Sequence, residues 1–210
     1  AHERFPEIPL YLQQDYNGTM FGGFLLRTNG CGITTMAMVA SYLSDELLTP
    51  PEMCRRYGGY SPRNGTDGMI FVKEPPVMDF YLVEKTYEPA KAWEGLENHH
   101  LVVSLQHKGY WTRGGHYIAL QEITEDGNVR VRDSNIYNYG SRVRAHVNDE
   151  HTWASITSAG SGYWIFDYKI TRIPGCSRCG DHSVSSLVGE DFYCRKCAPA
   201  VMRRDAYLGI

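Results

Sequence analysis

The stretch Asn29-Gly30-Cys31-Gly32-Ile33-Thr34-Thr35-Met36-Ala37-Met38-Val39-Ala40-Ser41-Tyr42-Leu43-Ser44 decides how the chain is read. Ile33, Met36, Ala37, Ala40 and Leu43 recur at three- and four-residue spacings, which predicts an amphipathic helix over 31–44. A glycine-containing loop ends where the helix begins, and a cysteine stands at its head. A thiol there feels the partial positive charge of the helix start and its free amide donors; both favour thiolate, the reactive form. Gly30 and Gly32 are expected to let a substrate backbone come close and to leave N–H groups open to an oxyanion. The competing reading is a buried cysteine packing as a small hydrophobe, the usual fate of a lone Cys.

Working outward, residues 1–30 read as loop and extended chain, with Pro6, Pro9 and several glycines between 18 and 30. Downstream, Thr49-Pro50-Pro51-Glu52 has the pattern of a capping box with proline at the first helical position. A short helix through Tyr57 follows, stopped by Gly58 and Gly59. A strand is expected at 80–87 and a helix at 90–97. From residue 101 the pattern turns β-like in LVVSLQ, HYIALQEI and NVRVRDS, the last two joined across Glu125-Asp126-Gly127, a hairpin signal. GYWIFDYKI at 162–170 is a further strand. Helices first and antiparallel strands later give an α+β order, not alternating βαβ units. Pro174-Gly175 marks a boundary, dividing the chain into a main domain at 1–173 and an appendage at 174–210.

A reactive thiol needs a base. Of 8 histidines, His116 is distinctive: Arg113-Gly114-Gly115-His116-Tyr117-Ile118-Ala119-Leu120 places it at the start of an apolar strand, just after two glycines. A catalytic histidine also needs an acceptor that fixes its tautomer and steadies the imidazolium. Asp133 ends the next strand, and antiparallel pairing about the Asp126-Gly127 turn puts both residues near one end of the hairpin. The plainer alternative is a surface histidine beside a turn-forming aspartate.

Together these pieces resemble the papain-like cysteine peptidases, specifically the C39-like family. The resemblance rests on Pro9-x-x-x-Gln13-x-Asp15, on Gly30-Cys31-Gly32 with the small and apolar helix after it, on Gly115-His116-Tyr117, and on Asp133-Ser134-Asn135. It covers about residues 8–170. It implies a papain-like fold, with a central helix in an N-terminal helical part and a C-terminal antiparallel sheet. It also implies Cys31 as nucleophile, His116 as general base and acid, Asp133 as orienting carboxylate and Gln13 as oxyanion donor. Gln14 is the neighbouring alternative to Gln13, and Asn135 is an alternative third member. Ile33 departs from the family, which often has proline after Cys-Gly. Longer loops at 16–30 and 138–160 would be insertions that leave substrate choice open. The substrate class implied is a peptide or protein. An amidase or acyltransferase uses the same thiol chemistry, and a non-catalytic adaptor is the reading from another class.

The remaining signal is Cys176, Cys179, Cys194 and Cys197, in the form C-x2-C-x14-C-x2-C. Two such knuckles suit one tetrahedral structural Zn²⁺ in a zinc-ribbon-like module, with all four positions filled by thiolate. Two disulfides, or iron on the same ligands, are the alternatives. The ribbon offers a docking surface for a protein partner, or a cap on the main domain. Cys54 carries no pattern and reads as core. A net charge of −3 gives no reason to expect nucleic acid or an anionic membrane as partner. No apolar run reaches the roughly 18 residues of a membrane-crossing helix. The start at Ala1 shows no signal-peptide pattern and leaves the compartment open. The four-cysteine pattern slightly favours a cytoplasmic location, and secretion stays open.

Overall fold

The computed structural model describes residues 8–44, 46–136, 150–168, 184–188 and 191–194, the last two stretches as backbone. The chain divides into two compact units, Ala1–Asp167 and Tyr168–Ile210.

At the centre of the first unit is α2 (Cys31–Leu43). The expected amphipathic helix is corrected here: residues 32–41 are buried without interruption, as in a helix enclosed by protein on every side. Two small residues of the helix make this enclosure workable, because their hydroxyls reach neighbouring backbone. Thr35 donates to the Tyr117 carbonyl (3.3 Å), and Ser41 donates to Leu48 O (2.8 Å) while accepting from Leu48 N–H (2.9 Å).

Short elements precede it: a two-stranded ribbon of β1 (Met20–Phe21) and β2 (Phe24–Leu25), then α1 (Leu26–Asn29). The reading of 1–30 as loop and extended chain did not resolve these elements, since two-residue strands leave no periodicity. After α2 comes α3 (Pro50–Tyr57). Its Thr49 sits at the N-cap, but the side chain makes no capping bond. The expected capping box is absent because Glu52 turns to Arg55 and Arg56, one turn ahead. A single-turn helix, α4 (Ile70–Lys73), fills part of the segment between helices and sheet.

The sheet has six strands in the order β3-β8-β4-β5-β6-β7. These are β3 (Phe80–Thr86), β4 (Leu101–Gln106), β5 (His116–Ile123), β6 (Val129–Arg132), β7 (Glu150–His151) and β8 (Gly160–Tyr168). β4 pairs antiparallel with both β5 and β8, and β6 antiparallel with both β5 and β7. The β5–β6 turn uses Gly127 at φ +75°, a conformation that glycine adopts without steric cost. Val102, Ile118, Leu120, Val131, Tyr163 and Ile165 pack with Ala92 and Leu96 of α5 (Pro89–Glu97) and Ile156 of α6 (Trp153–Thr157). Trp111 is fully buried in this core, its indole N–H on Ser155 O. Cys54 is buried as well, and burial pushes its thiol up to about 12.

The second unit contains β9 (Val184–Val188) and β10 (Asp191–Cys194), paired antiparallel. Among the described residues no helix is long and apolar enough to cross a membrane.

Candidate active site

The site begins with how α2 starts. A Cβ on Gly30 would lie 2.0 Å from Leu26 Cδ1 and 2.6 Å from Leu26 O, so Leu26 occupies the space a side chain would need. A Cβ on Gly32 would lie 2.5 Å from Thr66 Cβ. Both glycines are therefore filled from inside the protein. This revises their expected use as openings for a substrate backbone. Thr66 also accepts the Ile33 N–H at 3.1 Å, so a loop more than 30 residues away caps the first turn of the helix.

Cys31 is half-buried at this turn. Its thiol stands beside the His116 imidazole and the Tyr117 backbone, near enough for both to act on its titration. The imidazole Nε2 stands 2.7 Å from Asp133 Oδ1, with His116 and Asp133 both buried. Nε2 is thus committed to the carboxylate, and Nδ1 is the nitrogen left for the sulfur. The same Oδ1 accepts the Asn135 N–H at 2.9 Å, which fixes the carboxylate to its own turn.

The electrostatics follow from this geometry. Burial pushes the Cys31 thiol up, but the hydrogen bond and positive charge of His116, joined by the Tyr117 N–H, outweigh it and hold the thiol below its ordinary value. Burial pulls His116 down, while the Asp133 charge, its hydrogen bond and the thiolate raise it to about 10. Each partner favours the other's charged form.

Gln13 is buried beside this pair. Its N–H donates to Ser134 O (2.8 Å), its Nε2 donates to Arg27 O (3.0 Å), and its Oε1 accepts from Ser134 Oγ (3.1 Å). Ser134 Oγ lies 3.5 Å from Cys31 O, so one hydroxyl sits between Gln13 and the Cys31 peptide. The two sequence alternatives find each other instead: Gln14 Nε2 donates to Asn135 Oδ1 (2.9 Å), and Gln14 Oε1 accepts the Ile136 N–H (3.2 Å).

The structure thus brings Cys31, His116 and Asp133 together, the last two joined by a hydrogen bond, with Gln13 alongside. Sequence reasoning missed Ser134 and Thr66 as contributors. Ser134 had one signal, its place between Asp133 and Asn135; Thr66 had none. Among the aromatics, Tyr60 donates to Glu74 and Trp153 packs on Trp93 (centroids 5.2 Å apart), whereas Tyr137 and Tyr139 lie outside the described residues.

Residues 5–161 match the Peptidase_C39 like family. The chain belongs to this family. No curated protein and no solved structure matches it. The mixed architecture of the C39-like domain, with helices before a large antiparallel sheet, is compatible with a papain-like fold. Of the four expected zinc ligands, Cys176, Cys179 and Cys197 lie outside the described residues, and Cys194 ends β10, where only backbone is described. Among the described residues no group of three or more His, Cys, Asp or Glu is placed to hold a metal.

Proposed function

We propose that the C39-like domain is a cysteine peptidase in which Cys31 is the nucleophile, His116 the general base and acid, Asp133 the orienting carboxylate and Gln13 an oxyanion donor. The observation that carries this reading is the buried His116–Asp133 hydrogen bond, 2.7 Å from Nε2 to Oδ1, with the Cys31 thiol beside the same imidazole.

In this mechanism the thiolate attacks the carbonyl carbon of a peptide bond. A C–S bond forms and the carbonyl electron pair moves onto oxygen. Gln13 has two Nε2 hydrogens, and Arg27 O engages one. The other, with the Cys31 N–H, would stabilise the oxyanion. As the intermediate collapses, the C–N bond breaks and His116 gives its proton to the departing amine. Water then attacks the thioester, His116 takes its proton, and the acid product leaves the thiolate and imidazolium restored. Asp133 keeps the imidazole oriented and its charge compensated throughout.

Replacing Cys31 by Ala is expected to abolish peptide or acyl-substrate turnover together with iodoacetamide labelling at this position, read from the peptide that carries residue 31. Surviving turnover would overturn the assignment.

For the C-terminal unit we propose one structural Zn²⁺ held by Cys176, Cys179, Cys194 and Cys197. Support comes from the donor set, all thiols, and from a two-stranded antiparallel pair that lies between the two Cys-x2-Cys pairs in the chain and ends on Cys194. Four thiolates close the coordination shell, so the metal would stabilise the fold and take no part in catalysis. Metal analysis should find about one zinc per chain. A metal-free protein whose mass is lowered by two disulfides would refute it.

A further inference from the structure

We infer that Ser134 is a positioning residue for the oxyanion site: its hydroxyl anchors Oε1 of the Gln13 carboxamide while Arg27 O takes one Nε2 hydrogen, so that the second hydrogen is held in one place. The inference rests on the thiol-hydrolase reading above and extends it to a residue that touches no substrate.

A glutamine carboxamide has two orientations that differ by exchange of O and N, and only one offers a donor to an oxyanion. Here the surroundings decide between them. On one side stands Arg27 O, an acceptor, 3.0 Å from Nε2. On the other stands Ser134 Oγ, 3.1 Å from Oε1. Exchanging O and N would set Oε1 against the Arg27 carbonyl, two acceptors face to face. The acceptor-only carbonyl selects which end of the amide is the donor; the Ser134 hydroxyl donates to the other end and anchors the amide plane.

Two further contacts make Ser134 specific to this task. Its carbonyl accepts the Gln13 N–H at 2.8 Å, so backbone and side chain of Gln13 are gripped by one residue. Its Oγ also lies 3.5 Å from Cys31 O, which fixes the clamp relative to the peptide that carries the thiol. Having one proton, the hydroxyl donates at any moment to one acceptor, and the shorter contact is Gln13 Oε1. Ser134 is fully buried, so water does not substitute for it. The second Gln13 hydrogen has Leu26 O at 3.5 Å, too long to compete with an oxyanion.

The test compares two reactions of the same thiol in the full-length protein. With p-nitrophenyl acetate, the thiolate attacks the carbonyl, an oxyanion forms, and p-nitrophenolate leaves as the C–O bond breaks. With iodoacetamide, the thiolate displaces iodide from carbon and no oxyanion forms. Cys31→Ala supplies the background of both. The expected result for Ser134→Ala is an acylation rate lower by about 5- to 50-fold, since a misplaced donor loses much of its effect. Its alkylation rate and the pH dependence of alkylation should match wild type. Gln13→Ala should slow acylation by about 10²- to 10³-fold, the usual consequence of losing one oxyanion donor. Adding Ser134→Ala to Gln13→Ala should change nothing more.

The outcomes separate the readings. If Cys31→Ala retains the burst of p-nitrophenolate, the hydrolase reading fails. If Gln13→Ala acylates at the wild-type rate, the oxyanion role of Gln13 fails, and the Ser134 inference with it. If Gln13→Ala is slow while Ser134→Ala is not, the Ser134 inference alone is overturned. It is overturned equally if Ser134→Ala lowers acylation and alkylation by the same factor, because the hydroxyl would then serve the thiol–imidazole pair or the fold.

Discussion

The two halves of the C39-like domain's site are held by different forces. The helix end is held by shape: Leu26 and Thr66 occupy the spaces beside Gly30 and Gly32, and contacts between carbon atoms set where Cys31 stands. The sheet end is held by charge and hydrogen bonding, with His116, Asp133 and the Asn135 N–H meeting around one carboxylate oxygen. The difference teaches where each kind of substitution will register. Changes at the helix end should appear as lost stability, and changes at the sheet end as altered titration and rate.

The strongest challenge to this division is Asp133→Asn, which keeps the shape and removes the charge. Acylation of Cys31 near neutral pH should fall on the order of 10²-fold, a fair share of what a positioned acid–base group contributes. The midpoint of thermal unfolding should move little in comparison. An unchanged rate with a collapsed midpoint would reverse the assignment of forces.

Gly32→Ala is the matching change at the other end. A methyl group 2.5 Å from Thr66 Cβ must displace the loop, at a cost of about 1–3 kcal/mol in denaturant unfolding. The added Thr66→Gly substitution should recover part of that loss, which identifies the clash as the cause. Smaller still is Thr66→Val, similar in shape but without the acceptor for the Ile33 N–H. It should cost about 1 kcal/mol, the usual effect of losing a helix cap.

Titration gives the finest distinction. The folded value for His116 is raised above the unfolded one, so its contribution to stability is complete below about 6.5 and is lost as pH rises toward about 10. Cys31 is lowered, so its contribution is complete above the ordinary thiol value and is lost as pH falls through the folded one. Alkylation of Cys31 should therefore persist at pH values below about 8.5, where an unperturbed thiol is largely protonated. In Asp133→Asn the imidazolium loses its support, and the acid limb of that profile should move upward. Gly32→Ala should leave the profile in place.

What the sequence made legible follows the same division. The start of α2 at Cys31 and the strand from His116 were written in local periodicity, as was the turn at Gly127. The side-chain partners of these elements were not. Glu52 reads as half of a capping box, but two arginines on its own helix take it instead. The glycines flanking Cys31 suggest open space, yet the residues that fill it, Leu26 and Thr66, come from other segments. Ser134 reaches Gln13 across a separation of 121 residues, and no window along the chain contains both. Gln14 and Asn135 look equivalent to their neighbours on paper; only the register of 13–14 against 134–136 sorts them.

The enclosure of α2 has a consequence for how the thiol behaves over time. First turns of helices ordinarily fray, and groups mounted on them exchange with solvent by local opening. Here the Ile33 N–H is engaged by Thr66 and the following turns are surrounded by protein. The amides of residues 33–41 should therefore be among the slowest in the chain to exchange in deuterated water, opening only with the whole domain. A thiol anchored to so slowly opening a segment would keep its position and need no reassembly by an arriving partner.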